Sequence, residues 1–268
     1  MNRRQTLAEA MGLGPLWLPR GVELQPDAYE YEAPATTAES SVPTPSETQA
    51  LPVPATPIPE LAAAKQADTP PLTLPAPESP LSWEELQKAV AICQRCRLCE
   101  TRTQTVFGRG SAKARLLVVG EAPGENEDKQ GEAFVGRAGQ LLDNMFEAIG
   151  LDSNVDVFIT NVLKCRPPGN RNPSGDEIIA CQDYLLQQIA HLQPTLILAL
   201  GRFAAQTLLC TDQSISRLRG QLHSYRDIPL IVSFHPAYLL RNLPDKAKAW
   251  QDLVLTKRTF EALQGKPN

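Results

Sequence analysis

Four short apolar runs, at residues 116–119, 155–161, 196–200 and 230–234, set the terms for what this chain can fold into. Each has the length and branching of a strand buried on both faces. Between them the period changes to that of a helix. The clearest case is Ala138, Leu141, Leu142, Met145, Phe146 and Ile149, spaced i, i+3, i+4, i+7, i+8 and i+11, with Gly150 as a stop. Strands alternating with helices predict a three-layer α/β/α domain around a central parallel sheet of about four strands. Spacing says nothing of strand order. Three runs end on a polar residue: Glu121, Asn161 and His235. In a parallel sheet the carboxyl ends open into a crevice, so these three side chains are expected to converge there.

The longest strand-to-helix connection follows the first run. Gly120 closes the strand, Glu121-Ala122-Pro123-Gly124 turns the chain, and the loop carries five acids: Glu121, Glu125, Glu127, Asp128 and Glu132. Phe134 stands alone before a helix expected near Arg137. A solvated acidic connector is the plain reading of such a loop. Its place at the crevice makes it a site candidate.

Composition divides the chain. Of its 268 residues, the first 80 hold 15 of the 24 prolines and a net charge of −6, whereas residues 81–268 carry +2. Residues 21–80, rich in Pro, Ala, Thr, Ser and Glu, have too little apolar surface to offset ordering entropy and are expected to be disordered. Residues 1–20 could make a short amphipathic docking helix. The domain is expected over residues 81–268, opening with the capping box Ser82-x-x-Glu85. The last helix is expected over residues 246–263. The near-neutral domain can meet an anionic polymer through a local basic face. No secretory signal is read at the start and no run reaches the ~18 apolar residues of a membrane span, so a reducing, cytoplasmic setting is expected.

In that setting clustered cysteines read as metal ligands before disulfides. Cys93-x-x-Cys96 is one pair, and Cys165 and Cys181 could supply two more ligands. Four thiolates suit a structural zinc or a [4Fe–4S] cluster. Cys181 is equally at home as a buried thiol on an apolar helix face, and Cys99 rivals Cys93. Asn161 reads as a strand-ending turn residue or as an amide presented to a base edge. Phe134 reads as core or as a ring stacked on a planar ligand. A lone histidine is more often structural, but His235 lies at a strand end beside a rigid proline turn. Lys164, Arg166, Arg171, Arg217, Arg219 and Arg241 fall in loops or at element ends where phosphates could be met.

Taken in order, C-x-x-C-x-L, V-V-G-E-A-P-G-E-x-E-D, F-V-G-R-A-G-Q-L-L, I-T-N-V-L-K-C-R-P-P-x-N-R and H-P-A-Y-L-L-R make the chain resemble the family 4 uracil-DNA glycosylases over about residues 85–262. The resemblance implies a [4Fe–4S] cluster held by Cys93, Cys96, Cys165 and Cys181. It implies an active-site motif over Gly120, Glu121, Ala122, Pro123 and Gly124. Phe134 would stack on uracil, Asn161 would read its Watson–Crick edge, and Glu127 would shut out the 5-methyl of thymine. His235 would stabilise negative charge on the uracil O2. More distant relatives hold an Asp or Asn just before the motif proline to position water. Ala122 stands there in this sequence, leaving Glu121 as the available carboxylate.

The implied activity is release of free uracil from single- or double-stranded DNA in base excision repair, without strand cleavage. Arg166, Arg171 and Arg241 are the expected phosphate contacts, and the protein is expected to be a nucleoid-associated monomer. A second hypothesis is a non-catalytic iron–sulfur DNA-binding module of the same fold. It would gain if Asn161 and His235 lay on opposite sides of the sheet. A third concerns residues 1–20 as a peptide for a repair or replication partner, on a tether spanning about 45 Å.

Overall fold

The computed structural model describes residues 81–265. The expectations for residues 1–80, a docking helix and a disordered linker, lie outside the described residues.

Eight helices and six strands are described. In chain order they are α1 (Trp83–Ala91), β1 (Arg109–Gly110), β2 (Leu116–Gly120), α2 (Glu125–Gln130), α3 (Arg137–Ala148), β3 (Val157–Asn161) and α4 (Gly175–Leu192). There follow β4 (Leu196–Leu200), α5 (Arg202–Leu209), α6 (Ile215–Leu218), β5 (Leu222–Tyr225), β6 (Ile228–Ser233), α7 (Pro236–Leu239) and α8 (Lys246–Gln264). Capping boxes open α1 and α4: the Ser82 and Ser174 hydroxyls accept from the main-chain N–H of Glu85 and Glu177, whose carboxylates reach back.

The sheet order is β1-β3-β2-β4-β6-β5. The inner four strands are parallel, as expected, with Gly120 opposite Asn161, Val119 opposite Ala199 and Leu200 opposite Ser233. That register brings their carboxyl ends level. Two antiparallel edge strands escaped the sequence reading. β1 is two residues long. β5 is half exposed and joins β6 through Arg226 and Asp227, both left-handed, so the hairpin turn carries none of the usual Asn-Gly or Asp-Gly signal. β3 begins at Val157, two residues later than expected, and Val155 is exposed. The loop after Lys164, expected to be irregular, contains a single 3₁₀ turn, Pro168–Asn170.

Strand residues alternate between two cores. Leu117, Val119, Ile197, Ala199, Leu230 and Val232 pack with residues of α1, α4 and α5. Leu116, Val118, Leu198, Leu200 and Ile231 pack with α3 and α8. This is the three-layer arrangement expected. Fully buried side chains such as Leu142 and Leu163 contribute about 1.5–3 kcal/mol each.

Arg219 belongs to this frame and not to a phosphate surface. Its guanidinium makes two bonds, of 3.0 and 2.9 Å, to the fully buried Asp252, which also accepts from Ser233 at 3.0 Å. The pair secures the end of β6 just before His235.

Candidate active site

A pocket of about 640 Å³ opens at the carboxyl ends of the parallel strands. Glu121, Asn161 and His235 all line it, on one side of the sheet, together with Ala122, Pro123, Glu127 and Phe134. Gly120 lies beneath. A Cβ there would come within 2.3 Å of the Asn161 Oδ1 and 2.7 Å of the Phe134 ring, so glycine leaves the room both groups occupy.

Asn161 is nearly fully buried, and its Oδ1 is the one buried side-chain oxygen or nitrogen without a hydrogen-bond partner among the described residues. A buried polar group left unpaired costs about 1–3 kcal/mol. An orphan facing a pocket therefore points to a ligand group that completes it.

Phe134 holds a left-handed backbone, φ +54°, which a bulky residue adopts only when its surroundings insist. The insistence comes from Arg109 and Gly139, both missed in the sequence. The Arg109 guanidinium donates to the carbonyls of Ala133 (2.7 Å) and Phe134 (3.4 Å) and pairs with Asp143. A Cβ on Gly139 would lie 1.6 Å from the Phe134 carbonyl oxygen. The Phe134 ring sits 5.4 Å from the His235 ring, tilted by 31°. A glycine following a phenylalanine by five residues at a helix start is the signal available for Gly139; for Arg109 there was none.

The acidic loop is not a solvated connector. It contains α2, and each of its first four acids has a task. Asp128 is buried and accepts from the Thr103 N–H. Glu125 pairs with Lys129 at 2.7 Å and approaches Arg166 at 3.7 Å. Glu127 accepts from the N–H of Gly124 (3.1 Å) and of Gly136 (2.9 Å), strapping together the two ends of the loop that carries Phe134. Glu121 faces the pocket. Burial pushes its carboxyl up, and Arg202 draws it back towards the ionised form.

His235 caps α7. Its Nδ1 accepts from the Ala237 N–H at 3.2 Å, which leaves the proton of the neutral ring on Nε2. Burial first, then the nearby Arg241, push its pKa down to about 4, so the imidazole is neutral near pH 7. Gly201, with φ +88°, lets the chain pass it; a Cβ there would be 2.9 Å from the His235 Cβ.

Of the expected phosphate contacts, Arg171 and Arg241 line the pocket, but Arg171 is also held by both oxygens of Glu177. Arg166 lies alongside, donating to Asn170 at 2.8 Å. Arg202 and Phe203, which the sequence reading passed over, line the pocket as well. Lys164 must be removed from the phosphate set. It is almost fully buried, and its ammonium donates to Thr160 (2.6 Å), Gln188 (2.6 Å) and the Asn161 carbonyl (2.8 Å). Burial pulls its pKa down to about 8, against the opposing effect of Cys181 and Cys165.

Cys93, Cys96, Cys165 and Cys181 line one small cavity, while Cys99 and Cys210 do not. Among the described residues no three His, Cys, Asp or Glu side chains are grouped so as to hold a single metal ion. The donor set nevertheless suits thiolate chemistry. The Arg102 guanidinium donates to the Cys165 Sγ at 3.0 Å and to the Cys93 carbonyl at 2.6 Å, and the Lys164 main-chain N–H donates to the Cys181 Sγ at 3.3 Å. N–H groups aimed at sulfur are how proteins orient and tune thiolate ligands. Burial raises the thiols of Cys96 and Cys181 and pushes that of Cys165 up to about 12.

The chain belongs to the uracil DNA glycosylase superfamily, whose family model matches residues 107–254. The chain is 41% identical to the type-4 uracil-DNA glycosylase of Sulfurisphaera tokodaii over 194 residues, 67% of this chain and 88% of that protein. It is 42% identical to that of Archaeoglobus fulgidus (59% and 83%) and 43% identical to that of Thermotoga maritima (59% and 83%). The protein belongs to the type-4 uracil-DNA glycosylase family.

Proposed function

We propose that the protein hydrolyses the N-glycosidic bond of deoxyuridine in DNA, releasing uracil and leaving an abasic site. The observation that carries this reading is the unpartnered Asn161 oxygen, buried in a pocket beside a neutral imidazole and a strained aromatic ring.

The target base leaves the helix stack, which costs a few kcal/mol and is cheapest at a mismatch. Phe134 stacks on it and the Asn161 carboxamide pairs with its Watson–Crick edge. As the C1′–N1 bond breaks, the electron pair stays with the base and charge spreads to O2. The His235 Nε2–H donates there. A preorganised donor of this kind is worth about 10²–10³ in rate, and a neutral ring offers it without a protonation change. Glu121 positions the water whose oxygen bonds to C1′ and accepts its proton. Glu127 lies where a 5-methyl would enter and, through its strap, keeps Phe134 in place. No lysine lines the pocket among the described residues, so no amine stands ready for a Schiff base with C1′, and the enzyme is monofunctional.

Cys93, Cys96, Cys165 and Cys181 would hold a [4Fe–4S] cluster, whose role is structural: it ties the end of α1 to the Cys165–Cys181 segment. Arg166, Arg171 and Arg241, joined by Arg202, meet the DNA phosphates. In this reading residues 81–268 are the catalytic domain and residues 1–80 a tether to a repair or replication partner. The enzyme works as a monomer in the cytoplasm, at the nucleoid. Among the described residues no helix is long and apolar enough to cross a membrane. The non-catalytic DNA-binding alternative leaves the orphaned Asn161 oxygen without a use.

The test is release of free base from an oligonucleotide with a single deoxyuridine. The wild type should release uracil, and Asn161→Ala should lose most of that rate. A cluster-loaded wild type that releases none would contradict the reading.

A further inference from the structure

Lys164 occupies an unusual position. It lies one residue from Cys165, yet its side chain runs back along β3 to the pocket end of that strand. The ammonium is buried, and every contact it makes is neutral: the Thr160 hydroxyl, the Gln188 amide oxygen and the Asn161 carbonyl. Among the described residues no carboxylate pairs with it, whereas the buried Asp252 has Arg219 and the buried Glu177 has Arg171. An isolated buried charge is strongly unfavourable unless something nearby balances it. The charge that could balance this one is at the cysteine site, where the same residue's main-chain N–H donates to the Cys181 Sγ at 3.3 Å. Four thiolates around an iron–sulfur cluster carry net negative charge.

Gln188 and Thr160 extend the connection. The Gln188 amide and the Thr160 hydroxyl both donate to the Phe107 carbonyl at 2.9 Å, so the ammonium is the hub of a closed network behind β3. The Lys164 main chain also accepts from the Val106 N–H at 2.8 Å. The hub fixes the main chain at Asn161 from below, and Asn161 is the residue whose side chain is left open to the pocket.

We propose that Lys164 is a positioning residue that couples the two sites: its ammonium is the counter-charge of the thiolate-held cluster and at the same time the anchor of the Asn161 main chain. The proposal rests on the cluster and pocket assigned above. Filling the cysteine site and holding the base-reading amide are then one event energetically.

Two variants test this. Lys164→Met removes the charge and keeps an unbranched chain. Gln188→Glu keeps the lysine and gives it a carboxylate of its own. Groups that support metal ligands typically change metal affinity by about 10–100-fold when removed. Both variants, purified with iron, should therefore lose it to a chelator roughly 10–100-fold faster than the wild type, at temperatures well below unfolding. The second readout is a cycle of binding to an oligonucleotide bearing non-cleavable 2′-fluoro-deoxyuridine. Stripping iron should weaken binding by the wild type and change binding by Lys164→Met much less, which is the signature of coupling and not of general damage. Wild-type iron retention in both variants, or equal weakening on stripping, would overturn the proposal. Should the stripped chain unfold, the iron-loss rates decide alone. A wild type that excises uracil but shows no such coupling sinks this inference and leaves the assigned function intact.

Discussion

The Nδ1 of His235 accepts from the main-chain N–H of Ala237 at 3.2 Å, and that single bond determines where the ring's proton sits. The donor faces the pocket on Nε2 because the other nitrogen is already occupied as an acceptor. Pro236, at the first position of α7, has no N–H of its own to offer, so Ala237 supplies it.

The linkage has a definite sign. The pKa of His235 is depressed from 6.5 to about 4, so between those values the unfolded chain binds a proton that the folded protein refuses. This group's contribution therefore favours the folded state fully above pH 6.5 and fades as the pH falls towards 4. His235→Gln should flatten that part of the stability profile, read as melting temperature against pH. It should also lower the rate of uracil release by about 10²–10³ with little change in DNA affinity.

Glu127→Ala removes both acceptors of the strap. With the N–H groups of Gly124 and Gly136 left to find water, the protein should lose about 1–3 kcal/mol in urea unfolding, and the rate should fall as Phe134 loosens. Glu127→Gln keeps one acceptor oxygen and should fall between the two. Unchanged stability in both would show that the strap is incidental.

The fold was legible because its main signal, unbroken apolar runs between stretches of period 3.6, belongs to the residues themselves. Asn161 and His235 could be found because both end such runs. Arg109 could not, and Gly139 only by its place five residues after Phe134 at a helix start. Their contribution is a contact with a main-chain carbonyl, which depends on how β1 and α3 approach. Lys164 misled for a related reason. It stands in a segment of Arg, Pro and Asn that looks like a phosphate loop, and only the packing of α4 across β3 buries it. The acidic loop was legible as a site candidate, and Glu121 and Glu127 do line the pocket, but the use of Glu127 and Asp128 as acceptors for main-chain N–H groups is something charge counting does not see.

Gly120→Ala should separate site from fold. The added methyl would fall 2.3 Å from the Asn161 Oδ1 and 2.7 Å from the Phe134 ring, with no left-handed backbone to strain. The variant should fold with the same circular dichroism and retain its iron, yet release uracil far more slowly. Wild-type turnover would show that the close approach is unimportant.

Cys181→Ala should yield colourless protein with little bound iron and a lower melting temperature, because one ligand and one link between α4 and the end of α1 disappear together. Cys210→Ala, at an exposed position outside the cysteine cavity, should retain iron and colour. A brown, stable Cys181→Ala protein would remove that residue from the ligand set.

The most direct measurement compares free base released from two oligonucleotides that differ only by deoxyuridine or thymidine at one site, at one stated salt concentration. Release of uracil with no release of thymine is the expected result, and it would establish both the bond cleaved and the exclusion of the 5-methyl. Equal release from both strands would contradict the pocket assignment, and release from neither, by protein carrying its iron, would contradict the account as a whole.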